Sequence, residues 1–179
     1  KSEFITCIKT LAIDAMFFAV VFYFDLIPFS KFSWVSMITT YTLIFTWYEI
    51  WFYWSHRLYH HPKFYFIHRD HHYARVTSPL TALSFSFFER LVTLVGVVMV
   101  PMILGNWIPM CVEGMFLYGT VNLLFNFMGH SNVEFYTENS KRFRKIMTSF
   151  FGSTTFHALH HSRMKGHYGL FTSVQDRWF

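Results

Sequence analysis

Trp54-Ser55-His56-Arg57-Leu58-Tyr59-His60-His61-Pro62, followed after a short gap by His68-Arg69-Asp70-His71-His72, puts six histidines into seventeen residues at the end of a long apolar run. On a helix His56 and His60, at i and i+4, lie on one face. His68, His71 and His72 repeat the spacing at i, i+3 and i+4. Imidazoles spaced in this way can reach a common ion. A third group, His157-Ala158-Leu159-His160-His161, has the same HxxHH shape about ninety residues further on. Recurrence of so unusual a pattern reads as a polyhistidine metal centre.

The rest of the chain says where that centre sits. In 179 residues, 53% are hydrophobic, 22% aromatic and 14% charged, which is a membrane-protein profile rather than a soluble one. The net charge of +5 therefore calls for topology rather than nucleic acid to explain it. Four apolar runs are long enough to cross a bilayer, at 4–27, 34–59, 85–104 and 107–128. Pro28 ends the first, and Asp14 within it either faces the bundle interior or bonds a neighbouring helix. Pro62 stops the second just after it has delivered His56 and His60. Ser78-Pro79 reads as a helix start, with Ser as N-cap and Pro at the first helical position. Gly105-Asn106 turns the third run back into the fourth, where Gly114 and Gly119 suit close helix approach.

The expected fold is thus all-α: an integral membrane protein of about four transmembrane helices with a cytosolic helical cap, 131–179, carrying histidine boxes, all in one domain over 1–179. Parity then brings every histidine to one membrane face. Of the 15 lysines and arginines only Lys31 falls on the other face, so the histidine face is expected to be cytoplasmic. Cys7 and Cys111 fall on opposite sides, which argues against a disulfide. The chain opens on Lys1 without Met, so trimming is expected. The run Lys141-Arg142-Phe143-Arg144-Lys145 suits anionic headgroups at that surface.

Nine candidate ligands, His56, His60, His68, His71, His72, His130, His157, His160 and His161, exceed what one ion can hold. Two metals sharing the set is the natural solution. Adjacent histidines on a helix diverge by about 100°, so each doublet can serve two ions. His61 is a rival to His60, and Asn126, one turn before His130, is a candidate to hold a metal-bound water. Ligating imidazoles need an acceptor for their other N–H, and Asp70, Glu89 and Asp176 are the carboxylates near the boxes. Glu49, Tyr53, His56 and His60 form one helical stripe, with the Glu49 carboxylate buried beneath His56. Imidazole suits Zn, Cu, Fe or Ni alike.

At these residues the chain resembles the fatty acid hydroxylase/sterol desaturase superfamily of integral-membrane diiron oxygenases. The motifs are HxxxH at His56 to His60 and HxxHH at His68 to His72 and at His157 to His161. The closing Gln175-Asp176-Arg177-Trp178-Phe179 looks like the family's WDxLFGT ending. Gln175 stands where Trp is usual, and His167-Tyr168-Gly169 where Asn-Tyr-Gly is common, which makes His167 an extra ligand or a supporting group. The likeness covers Glu49 to Phe179, and the chain stops where Gly-Thr would follow, as expected of a trimmed end.

The resemblance implies two Fe ions that use O2 to hydroxylate or desaturate a lipid, sterol or fatty acyl, in lipid biosynthesis. Zn is able to occupy the site in isolated protein. The implied partners are the membrane, a lipid substrate, and an electron donor of cytochrome b-type or a ferredoxin with its reductase, with no nucleic acid. The implied location is the endoplasmic reticulum in a eukaryote or the inner membrane in a bacterium. The alternative is a non-redox zinc-binding membrane protein, structural or metal-handling. Transport predicts ionisable residues continuing through the spans, whereas these histidines stop at one face.

Overall fold

Four long helices and a cap built from short ones make up the computed structural model, which describes residues 2–134 and 151–179. The long helices are α1 (Ser2–Tyr23), α2 (Trp34–Tyr59), α4 (Phe87–Leu104) and α5 (Val112–His130). The short ones are α3 (Tyr65–His68), α6 (Thr154–Arg163) and α7 (Val174–Trp178), with 3-10 turns at His71–Tyr73 and Pro79–Leu83. Among the described residues the extended backbone pairing is a single antiparallel bridge, Phe151 with Thr172. The basic run 141–145 lies outside the described residues.

Local chemistry sets the boundaries, and several differ from the sequence expectation. α1 stops at Tyr23 rather than running on to Pro28, because Asp25 takes a left-handed φ of 47° and Leu26 N–H turns back to Val21 O at 3.0 Å. Ser33 and Ser36 close a capping box at the start of α2. Ser78-Pro79 does start a helical turn, but only the 3-10 turn Pro79–Leu83. α4 begins separately, where Ser86 accepts from Glu89 N at 3.2 Å. α5 begins at Val112, later than the apolar run suggested, because Pro109 and Met110 belong to a loop anchored by Ser30 N–H on Met110 O at 2.7 Å.

α2 is the central helix, packing mainly on α5 and α4. Gly114 makes that contact possible, since a Cβ there would lie 2.6 Å from both Met37 O and Thr40 Cβ on α2. Gly119, expected to act likewise, faces open space instead. Cys7 and Cys111 are both free and buried. Asp14 does bond a neighbouring helix: both its oxygens accept from Arg90 of α4, at 2.6 Å each.

Among the described residues two helical stretches, Glu3–Tyr23 and Phe87–Leu104, are long and apolar enough to cross a membrane. α2 and α5 match them in length, at 26 and 19 residues, but carry too many polar side chains to meet the same criterion. Some of those polar groups point inward, while Thr42, Thr46 and Thr120 are exposed. Thr40 is fully buried, donating to Ser36 O and accepting from Cys111 N, and Asn126 donates to Asn122. Outward stand Met16, Val35, Ile38, Ile103 and Phe116, all more than half exposed. An apolar exterior of this extent suits hydrocarbon surroundings better than water.

Candidate metal centre

The ends of α2 and α5 meet the cap at one level, and there the nine imidazoles converge. α2 brings His56 and His60, with ring centroids 5.2 Å apart. The chain then reverses at Pro62, and α3 with the following 3-10 turn brings His68, His71 and His72. α5 ends on His130. α6 starts at an N-cap, Ser153 accepting from Phe156 N at 3.1 Å, and is docked on the end of α5 by Thr154 Oγ1 donating to Met128 O at 3.1 Å. That docking sets His157 Nε2 at 2.8 Å from His130 Nε2.

The nine form two groups in which the ligand atoms all lie within 4.8 Å of one another. His56, His60, His68, His72 and His160 make the first, and His71, His130, His157 and His161 the second. Each doublet is divided between the groups. The rings of His71 and His72 stand at 90° to each other and those of His160 and His161 at 89°.

Hydrogen bonds around the rim dictate what faces inward. His56 Nδ1 donates to Tyr168 O at 2.9 Å, His160 Nδ1 to Gly166 O at 2.8 Å, and His161 Nδ1 to Ala74 O at 3.1 Å. His71 Nδ1 donates to Ser84 O at 3.3 Å and His130 Nδ1 to Asn126 O at 2.7 Å. His68 Nδ1 lies 2.5 Å from the Glu89 carboxylate. A carbonyl only accepts, so each of the five rings bonded to one carries its proton on Nδ1 when neutral. Neutral is the favoured form. Burial, helped by the neighbouring imidazoles, lowers His60 and His160 to about 4 and His72 to about 3. The same causes hold His68, His71 and His157 well below the ordinary histidine value.

Nε2 of the carbonyl-bonded rings is then a lone pair, and the Nε2 atoms of each group converge. In the first group His60, His72 and His160 hold Nε2 atoms 3.1–3.2 Å apart. In the second, His161 Nε2 lies 3.1 Å from both His71 and His157. Nε2 of His56 and of His68 is buried without a hydrogen-bond partner. Buried, neutral imidazoles converging in this way make a donor set suited to a transition metal. The residues present fit a metal ion in each group.

The supporting residues sort themselves plainly. Glu89, 2% exposed, bonds a candidate ligand directly. Glu49 and Asp176 act one step further out. Glu49 accepts from Phe171 N, Thr172 N and Thr172 Oγ1, and Asp176 accepts from Tyr168 N and Gly169 N, so both pin the loop whose carbonyls hold His56 and His160. Asp70 does not join them; it is half-buried, 3.8 Å from Arg69. His61 is exposed as well, its Nδ1 accepting from Lys63 N, which leaves His60 in the group. The Asn126 amide bonds Asn122, so its backbone carbonyl on His130 is what serves the centre. His167 belongs to neither group; its ring packs edge-on against Phe156 with centroids 4.0 Å apart. Sequence reasoning missed Gly166, Tyr168, Ala74 and Ser84, because they act through backbone carbonyls that every residue carries.

Two cavities flank the centre. One, of about 420 Å³, lies among α1, α2, α4 and α5, with Phe52, Phe85 and Asn126 toward the histidines. Phe85 stacks on the His71 ring at 5.2 Å, and the Phe52 ring centroid is 5.0 Å from that of His56. The other, of about 110 Å³, touches His130 and His157 from the cap side. Asn126 and Leu170 border both.

Residues 41–179 match the model of the fatty acid hydroxylase family. Among curated proteins, the very-long-chain aldehyde decarbonylase GL1-4 of Oryza sativa is 31% identical over 133 residues, covering 72% of this chain and 21% of the relative. GL1-6 of the same plant is 29% identical over 133 residues, covering 72% of this chain and 20% of its own. Protein CER1-like 1 of Arabidopsis thaliana is 28% identical over 131 residues, with 72% and 21% covered. This chain thus spans about a fifth of the length of the curated relatives it matches. No solved structure matches it. Since the matched stretch contains every histidine of both groups, the chain belongs to the fatty acid hydroxylase family.

Proposed function

We propose that this chain is the catalytic core of a membrane-bound, O2-dependent diiron enzyme that oxidises a long-chain lipid. The observation that carries the reading is the pair of converging imidazole groups, set behind Phe52 and Phe85 at one end of a largely apolar cavity. Two irons held there would supply the O2 activation and redox power that no side-chain acid or base can bring to an unactivated C–H bond.

The chain's own residues have three tasks in this reading. His56, His60, His68, His72 and His160 hold one ion, and His71, His130, His157 and His161 the other. Tyr168 O, Gly166 O, Ser84 O, Ala74 O, Asn126 O and Glu89 keep Nδ1 protonated and the rings aimed. Phe52, Phe85 and the walls below exclude water and lay the lipid against the centre. The relatives named aldehyde decarbonylases favour an oxygenated long-chain lipid over a sterol. Hydroxylation, desaturation and loss of a terminal carbon all remain within reach of this chemistry. Electrons come from a separate carrier, of cytochrome b-type or a ferredoxin with its reductase. The histidine face lies on the cytoplasmic side, with α1, α2, α4 and α5 in the bilayer.

Metal analysis of anaerobically purified protein, followed by O2 uptake with reductant and long-chain lipid, tests the proposal. Two irons per chain and lipid-dependent uptake are expected. Zinc alone, with no uptake after iron reconstitution, would overturn it in favour of a non-redox zinc protein.

A further inference from the structure

The 420 Å³ cavity is lined by Tyr48, Thr93, Tyr118, Asn122 and Asn126 among its apolar residues, and its two charged residues are placed where they matter. Asp14 of α1 and Arg90 of α4 both line it, joined by two hydrogen bonds of 2.6 Å with each side chain about 20% exposed. Arg90 marks the metal end of the cavity. Its neighbour Glu89 holds His68, and its guanidinium lies 5.4 Å over the Phe85 ring, which in turn stacks on His71. Away from that end, α1, α4 and α5 contribute Phe18, Leu94, Val97, Met115 and Phe116. An elongated ligand is therefore sorted by polarity, with its apolar tail toward these residues and its polar end beside the histidines.

From this we infer that the Asp14–Arg90 pair is a head-group subsite selecting a neutral, oxygen-bearing lipid end such as an aldehyde or primary alcohol. The inference rests on the proposed lipid-oxidising role and deepens it by naming the substrate class. Charge arithmetic excludes the alternatives. Arg90 is already balanced by Asp14, so a carboxylate or phosphate head would meet Asp14 as a like charge at low dielectric, where such repulsion is strong. A cationic head would meet Arg90 in the same way. A guanidinium has five N–H donors and Asp14 takes two, leaving donors for a carbonyl or hydroxyl oxygen. Asp14 precedes the stretch that matches the family model, so half of the subsite comes from a helix outside it. With the head held there, oxidation falls on the carbons nearest the polar end.

The test is binding to the purified, metal-loaded protein under anaerobic conditions, where no turnover occurs. The probes are a long-chain primary alcohol, the alkane and the carboxylate of equal chain length, competing against a fluorescent lipid. The alcohol should bind about tenfold tighter than the other two, the worth of one or two hydrogen bonds. In Asp14→Leu with Arg90→Leu, which removes the pair as a unit, the alcohol should fall to the affinity of the alkane. Asp14→Asn, which leaves the guanidinium unbalanced, should instead raise carboxylate binding about tenfold. Equal binding of all three probes by the unaltered protein, or an alcohol preference that survives the double substitution, overturns the inference. Iron content and O2 uptake are read on the same samples. Two irons with uptake but no head preference refute only the subsite, whereas a head preference without bound iron refutes only the diiron reading.

Discussion

Glu89 and His68 are joined across the top of α4, carboxylate oxygen to Nδ1 at 2.5 Å, with both side chains almost wholly buried. A carboxylate behind a ligating imidazole fixes its proton on the far nitrogen and raises its basicity toward the metal. Glu89→Ala should therefore weaken metal binding in the five-histidine group by about 10- to 100-fold, with Glu89→Gln retaining part of it. Competition with a chelator of known affinity measures this. Unchanged retention in Glu89→Ala would reduce the contact to packing.

The divided doublets make a sharper claim. His160→Ala and His161→Ala change neighbouring residues but should empty different groups. Each variant should keep about one metal per chain and lose turnover, since the proposed chemistry needs both ions. Metal content combined with a spectroscopic probe of the remaining site distinguishes the two. If both substitutions left the same spectrum, the doublets would not be divided in solution.

Acid should release the metal and loosen the cap. His60 and His160 at about 4 and His72 at about 3 have folded values below the ordinary one, near 6.5. The unfolded chain therefore binds more protons between those limits, and stability rises with pH there. The contribution is complete above about 6.5 and is lost as pH falls toward 4, in the same direction as proton competition for the lone pairs. Thermal melts and metal release followed from pH 7.5 to 4.5 should decline together. Full metal retention at pH 4.5 would contradict the placement of the protons.

Glu49 and Asp176 pin the loop that carries Tyr168 O and Gly166 O, and those carbonyls serve only the five-histidine group. Glu49→Gln keeps an acceptor but weakens the charge-assisted bonds, at a cost of about 1–3 kcal/mol. The expected result is selective loss of metal from that group, with the four-histidine group retained. Equal loss from both groups would mean that the loop acts through the fold as a whole.

Helix packing offers a test independent of metal. Gly114→Ala drives a methyl against Met37 O and Thr40 Cβ at 2.6 Å and should destabilise by about 1–3 kcal/mol, whereas Gly119→Ala meets open space and should be neutral. Detergent-resistant melting temperatures compare the two, and equal behaviour would remove the close α2–α5 contact.

Much of this was legible in the residues themselves. The histidine spacing marked the candidate ligands and the divergence of each doublet, but not the grouping. The i, i+4 pairs share a group, whereas the i, i+3 pairs His68 with His71 and His157 with His160 are divided. His71 and His72 also stand on a 3-10 turn rather than on the helix that ends at His68. The long helices could be read too, although their ends could not: Asp25, Ser86 and Val112 set limits that runs of hydrophobicity do not mark. The sequence reading counted α2 and α5 among four apolar runs, whereas only α1 and α4 are apolar enough to meet the span criterion.

The sequence alone determined the helical class and the candidate histidines, because those follow from composition and from the period of the helix; their division into two groups came from the structure. Only the tertiary structure decided which atoms hold the rings in place and what lies beneath them. Backbone carbonyls leave no signature in residue identity, which hid the parts played by Gly166, Tyr168, Ala74 and Ser84. The meeting of Asp14 with Arg90 depends on the packing of α1 against α4, a contact across 76 residues of chain that no local pattern encodes.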